Sequence, residues 1–305
     1  MSLERETAHI FDLIFKRLME LSDVAIINFI NGLFGEDHPL NSVVRRPKTE
    51  TISEKLKRLM SDTIITINEK DAYHIEAETS SENIVVRVFE YGYAEAIRTK
   101  TTSYGGQEIS LKFPDARIIY WESTGRAPDV VMLSLLFPDG SSHDYKVKTL
   151  KFLEREIREL AERKLVILLP FYVLKLRKRV AAARTKERRA ELAAEMKFIL
   201  DEVIEAVERS ANEGLMSESD KRNVLEYTER MYKELFARYD ELKEADVMLR
   251  ERILTYSEEA RQEGIEKGIE KGVEKVARSM LKRGMALPEI AEIVNLPIEK
   301  LKSLI

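Results

Sequence analysis

Three carboxylates in the first half of the chain, Asp62, Glu76 and Glu78, are spaced as a set that could hold a cation. Side chains alternate between the two faces of an extended strand, so Glu76 and Glu78 share one face of the stretch Ala72 to Glu78. A hairpin through Glu69-Lys70-Asp71 would bring Asp62, at the start of the preceding strand, close to them. Converging carboxylates repel one another unless a cation lies between them. Hard divalent ions favour carboxylate oxygens and keep other positions for water and phosphate. Such an ion activates water and neutralises charge developing on a phosphate. On spacing alone a solvated strand face with Tyr73, Ile75 and Ala77 turned inward is the favoured reading, because D…ExE is a short pattern.

Other chemistry is thinner. The densest basic stretch runs from Lys175 to Arg189, with Lys175, Arg177, Lys178 and Arg179 at its start. It is either a solvated helix face or a place for phosphate-backbone contact. The net charge of −4 exerts no overall pull toward nucleic acid, so a polyanion would need a local patch of this kind. The chain has no cysteine, which removes disulfides, thiolate zinc sites and cysteine nucleophiles together. Its four histidines show no metal-ligand spacing, and neither a glycine-rich phosphate loop nor a nucleophile elbow is present. Asp12 with Lys16, and Arg87 with Tyr91, lie one helical turn apart, which an ordinary surface pair explains.

The elements that must position these groups follow from periodicity. Ile10, Leu13, Ile14, Leu18, Leu21, Ala25, Ile26 and Phe29 repeat near 3.6 residues, predicting one or two amphipathic helices with a break near Ser22-Asp23. A loop from Gly35 to Pro47 and a short helical stretch over Glu54 to Met60 precede the hairpin Asp62–Asn68 and Ala72–Glu78. A helix over Val85 to Thr99 and strands at Ile118–Trp121 and Val130–Phe137 complete an α/β plan. Beyond about residue 150 the strand signals stop, and long charged amphipathic helices are expected from Phe152 through Arg261.

A repeat of Gly-Ile-Glu-Lys follows from Gly264, stacking Gly over Gly and Ile over Ile on a helix. It is read either as a glycine stripe for close helix approach or as a helical tether. Breaks at Gly284 and Asn295-Leu296 then outline a helix-turn-helix tail. The expected parts are thus residues 1–150, 151–262 and 263–305. The N-terminus shows no cleavage pattern and the longest apolar run, Leu165 to Leu169, is far short of a membrane span, so a soluble, unexported protein is expected.

The stretches Ser61-Asp62-Thr63-Ile64-Ile65 and Tyr73-His74-Ile75-Glu76-Ala77-Glu78-Thr79-Ser80 resemble the active-site core of the PD-(D/E)XK nuclease superfamily. Asp12-Leu13-Ile14-Phe15-Lys16 and Arg87-Val88-Phe89-Glu90-Tyr91 narrow the likeness to its recombination-promoting nuclease, or transposase, branch. Leu168-Leu169-Pro170-Phe171 and the Gly-Ile-Glu-Lys repeat extend it over most of the chain. The resemblance implies a restriction-endonuclease-like core, a sheet flanked by helices, followed by an all-helical C-terminal part. It further implies a Mg²⁺ site, open to Mn²⁺, at Asp62 and Glu76, and cleavage of DNA linked to recombination or mobile elements in a bacterial cytoplasm. Homo-oligomers would form through the C-terminal helices. Glu78 departs from the pattern, standing where the branch has Gln and the wider superfamily Lys. It could be a third ligand, or could mark weakened catalysis with Lys16 or Arg87 supplying the positive charge.

Overall fold

The computed structural model describes residues 2–46, 63–78, 83–102, 108–122 and 127–302. The chain forms two compact units, Met1–Arg250 and Glu251–Ile305. The first opens with helices α1 (Ser2–Leu18) and α2 (Asp23–Phe34). Between them Ser22 caps α2, accepting a hydrogen bond from the Ala25 amide, so the expected break falls where a capping hydroxyl is available. Gly35, at φ 79°, closes α2 in the left-handed conformation that glycine adopts without cost.

A mixed sheet follows in the order β1-β2-β3-β6-β8-β7. Its strands are β1 (Val44–Arg45), β2 (Thr63–Ile67), β3 (Asp71–Glu78), β6 (Asp115–Tyr120), β7 (Val130–Leu136) and β8 (Ser142–Lys151). The expected hairpin is present: β2 and β3 are antiparallel, with Thr63 opposite Ile75 and Ile67 opposite Asp71. From β3 the chain crosses through helix α3 (Ile84–Arg98) and the small pair β4 (Thr101–Thr102) and β5 (Ile109–Ser110) to β6. β6 runs parallel to β3, with Glu76 beside Ile118 and Glu78 beside Tyr120. The expected stretch Glu54–Met60 lies outside the described residues.

Both faces of the sheet are covered. On one side Phe34 of α2 meets Tyr73, and Arg117 lies over the Phe34 ring. Phe15 of α1 and Phe171 pack on Trp121, whose ring stacks on Phe171 at 3.8 Å. On the other side α3 seals a core of Ile84, Val88, Ala116, Ile118, Tyr120 and Val147. β3 is therefore a central strand buried from Tyr73 through Glu76, which is why it does not keep one solvated face.

The composition change near residue 150 is not a contact boundary. Residues beyond it do not pass at once into long helices: Val166–Leu176 is a buried 3₁₀ segment containing Pro170, flanked by the short helices α4 (Ile157–Glu162) and α5 (Arg177–Ala182). Pro170 has no amide donor and in an α-helix its ring would clash with the carbonyl four residues back, so the segment does not run on as an α-helix there. This apolar segment is the hub on which α1, α2, α6 (Lys186–Asn212) and α7 (Glu218–Phe236) all pack, so the helical part up to Arg250 shares its core with the sheet. Asp220 ties the parts together by accepting from the amides and hydroxyls of both Ser22 and Ser217, the caps of α2 and α7.

Helix α8 (Lys243–Lys282) carries the Gly-Ile-Glu-Lys repeat into the second unit, where α9 (Leu287–Val294) and α10 (Ile298–Lys302) follow. Ala277, Ile290 and Leu301 form that unit's small core. The expected stops are met by Gly284 and Asn295, both at positive φ. Among the described residues no helix is long and apolar enough to cross a membrane.

Candidate metal centre

The alternation of β3 places His74, Glu76 and Glu78 on the face covered by α3. Glu76 is 1% exposed and Glu78 25%. A carboxylate buried to that degree must be compensated, because desolvation of an isolated charge costs far more than a domain's stability margin. Arg87, in the first turn of α3, supplies the charge: its Nε donates to Glu76 Oε1 and its Nη2 donates to Glu78 Oε2 at 2.8 Å. One guanidinium thus bridges two carboxylates that alternate along a strand, a use of its forked donors that an ammonium could not reproduce. One turn further along α3, Tyr91 packs edge-on against the His74 ring at 5.7 Å. His74 Nε2 stands 3.7 Å from Glu76 Oε2.

Tyr120, beside Glu78 on β6, joins the same face. Burial, and then the negative charge of Glu78, push its phenol above the ordinary value. The sequence-based expectations missed this residue, because the parallel register of β6 on β3 is set by the crossover through α3. Alternation within Ile118–Trp121 was its only trace in the sequence.

The candidate residues separate into three groups. Glu76, Glu78 and Arg87 come together. Asp62 lies outside the described residues; β2 begins at Thr63, opposite Ile75. Lys16 is not drawn to the acidic pair: it binds Asp12 at 2.8 Å on α1, as the one-turn spacing alone suggests. Among the described residues no group of three or more His, Asp or Glu side chains is arranged to hold a metal.

No family model, curated protein or solved structure matches this chain.

The basic run at 175–189 is not an open row of charges. Arg177 donates through Nε and Nη2 to the two oxygens of Glu122, both at 2.8 Å, and Lys178 reaches the same carboxylate at 3.0 Å. Arg179 pairs with Glu195, Arg188 with Glu191, and Arg189 with Glu241. Lys175 donates to the Tyr172 hydroxyl. Glu122, just past β6, is what draws the start of the run inward. Lys175, Lys178 and Arg179 remain exposed while pairing within the protein and Arg177 is partly buried, a distribution that charge counting along the chain does not reveal.

Proposed function

We propose that the sheet-bearing unit is a divalent-metal-dependent DNA endonuclease, hydrolysing phosphodiester bonds in a process linked to recombination or transposition. The observation that carries this reading is the convergence of Glu76 and Glu78 on a single cationic group at the face of the central strand. The guanidinium marks where positive charge is required, and the oxygen donors suit a hard ion such as Mg²⁺ or Mn²⁺. Glu76 and Glu78 would hold the ion, with Asp62, which precedes Thr63 in the chain, as the third carboxylate. When bound, the ion supplies charge neutralisation at the phosphate and a more acidic water. Glu76 is held by its position in a central strand, so its carboxylate is aimed by backbone pairing on both sides. Glu78, more exposed, would face substrate.

The strand order supports the same reading. An antiparallel meander β1-β2-β3, a helical crossover and a parallel β6 next to β3 together form a mixed sheet flanked by helices, compatible with a restriction-endonuclease-like core. The C-terminal helices, with the exposed apolar residues Ile269 and Val276 on α8, suit self-association into a homo-oligomer.

A second reading has its own observation. Arg87 already balances part of the acidic charge, and Glu78 stands where Gln or Lys is the expected type. A nuclease-like fold without catalysis, acting in DNA binding or assembly, follows if Arg87 is a permanent partner.

Cleavage of supercoiled plasmid separates the two. With Mg²⁺ or Mn²⁺ the native protein is expected to nick the plasmid, and Glu76→Gln and Asp62→Asn, purified identically, are expected to lose that activity. Absence of nicking, or equal nicking by all three proteins, would overturn the endonuclease reading.

A further inference from the structure

We infer that β7 is a docking edge for a second copy of this chain, which pairs with it antiparallel about a two-fold axis and continues the sheet across both subunits. The inference stands apart from the endonuclease reading and from association through the C-terminal helices.

The two edges of the sheet are unlike. β1, at one end, is two residues long and carries Arg45, which is paired with Glu69. β7, at the other, runs for seven residues, Val-Val-Met-Leu-Ser-Leu-Leu, with no charge, proline or glycine among them. Natural sheets blunt free edges with short strands, charged side chains, prolines or bulges. β1 has two of these devices and β7 has none. Among the described residues nothing pairs with the outer side of β7. The Phe137 amide donates to the Ser141 carbonyl and the Thr149 amide to the Asp129 carbonyl, so in the alternating ladder Val131, Leu133 and Leu135 bond to β8. The amides and carbonyls of Val130, Met132, Ser134 and Leu136 therefore point to the open edge. Apolar side chains of the same row are exposed as well, Val130 by 44%, Met132 by 54% and Leu136 by 80%.

The strand itself identifies the occupant. A partner must offer its own free row of amides and carbonyls, and an uncharged side-chain row to lie beside an uncharged one. β7 of a second copy does both. With the axis through Leu133, Val130 meets Leu136, Met132 meets Ser134 and Leu133 meets its own counterpart, each pair on one face of the joined sheet. The outward amides and carbonyls of the two copies then satisfy one another. Asp129 and Asp139, at the ends of the strand, approach across the axis with their carboxylates already engaged: Asp129 pairs with Lys151 at 2.9 Å, and Asp139 accepts from the Ser141 amide and hydroxyl. Pairing consumes β7 in both copies and leaves only the short β1 at each end, so the assembly closes at two.

The chain has no cysteine, so single cysteines introduced into the full chain report the register. Leu133→Cys sets two thiols at facing positions of a non-hydrogen-bonded pair, whose Cα atoms lie about 4.5 Å apart and within disulfide reach. Mild oxidation is expected to convert this variant to a covalent dimer. Val131→Cys, which faces Leu135 and lies about 13 Å along the strands from its own counterpart, is expected to stay uncrosslinked. Sedimentation gives a second readout. Met132→Lys, at an exposed position, and Ser134→Pro, which removes an outward amide and leaves the backbone ladder to β8 intact, are each expected to halve the particle mass at a fixed concentration. No cross-linking of Leu133→Cys, equal cross-linking of both cysteine variants, or the native mass in Met132→Lys overturns the inference. If Leu133→Cys does not fold, a mixture of Met132→Cys and Ser134→Cys proteins takes its place: oxidation is expected to give a mixed covalent dimer, and its absence overturns the inference.

Discussion

Two buried carboxylates in this protein are compensated in opposite ways. Asp220, 3% exposed, is held by uncharged donors: two backbone amides and two serine hydroxyls, all belonging to the caps of α2 and α7. Glu76 is held by a side-chain cation, the partly exposed Arg87, which also binds Glu78. Amides fixed in a helix terminus cannot leave, so Asp220 is a rivet between elements that lie far apart in the chain. The Arg87 guanidinium reaches Glu76 on a long side chain from α3, so this pairing ties one helix to the central strand. The two carboxylates are both buried and differ in the kind of donor that compensates them, uncharged groups of helix caps in one case and a guanidinium in the other.

The largest expected effect comes from breaking the rivet. Asp220→Ala leaves four donors without their acceptor and is expected to lower unfolding free energy by about 3 kcal/mol, at roughly 1 kcal/mol for a cap and more for bonds to a charged acceptor. Chemical denaturation measures this. The contrast requires Mn²⁺ titration of the same variant to match the native protein, and a loss of binding would show that the two carboxylates are not independent.

The corresponding change at Glu76 is expected to be smaller in stability and, on the proposed endonuclease reading, larger in function. Glu76→Gln keeps the shape of the side chain and leaves Arg87 on Glu78, so a cost of about 1–2 kcal/mol is expected together with loss of metal-dependent cleavage. A stability loss as large as that of Asp220→Ala, with cleavage intact, would reverse the assignment of the two roles.

Acid sharpens the comparison further. Burial alone would raise the Asp220 carboxyl, but the hydrogen bonds from Ser22 and Ser217 outweigh it and hold the group below its ordinary 3.8. A depressed folded-state value means that the stabilisation is fully present above the unfolded value and is lost as pH falls through the lower folded one. Urea midpoints measured downward from pH 5 are expected to drop less steeply in Asp220→Asn than in the native protein. Identical slopes would show that other carboxylates dominate the acid response.

The smallest effect is expected on the basic run. Arg179, 46% exposed against an equally exposed Glu195, forms an ion pair of the surface kind. Arg179→Ala is expected to change stability by no more than about 0.5 kcal/mol. Arg177, fastened by two bonds to a 9%-exposed Glu122, is expected to cost distinctly more when removed.

Local signals in the sequence carried the early part of the fold. Ser22 followed by a helical period predicted the break between α1 and α2, Glu69-Lys70-Asp71 between two β-branched or aromatic runs predicted the β2–β3 hairpin, and the helix over 85–99 is α3 within a residue at each end. Strand β8 was not foreseen. Its charged residues Lys146 and Lys148 resemble a solvated segment until β6 and β7 pair with it on either side. The 3₁₀ character of Val166–Leu176 was equally hidden, since a short apolar run does not specify which tight turn it adopts.

The same division holds at the candidate centre. Period-two alternation is a local property of the backbone, so the sequence by itself determined that Glu76 and Glu78 share a face, and that Arg87 and Tyr91 share another. Whether the acidic face meets water or a helix depends on the crossover of α3, and whether Arg87 turns to Tyr91 or to the two carboxylates depends on how that helix seats on β3. Those are contacts between residues distant along the chain, chosen by the need to bury apolar surface on both sides of a central strand while leaving no buried charge without a partner. Only the tertiary structure decided them.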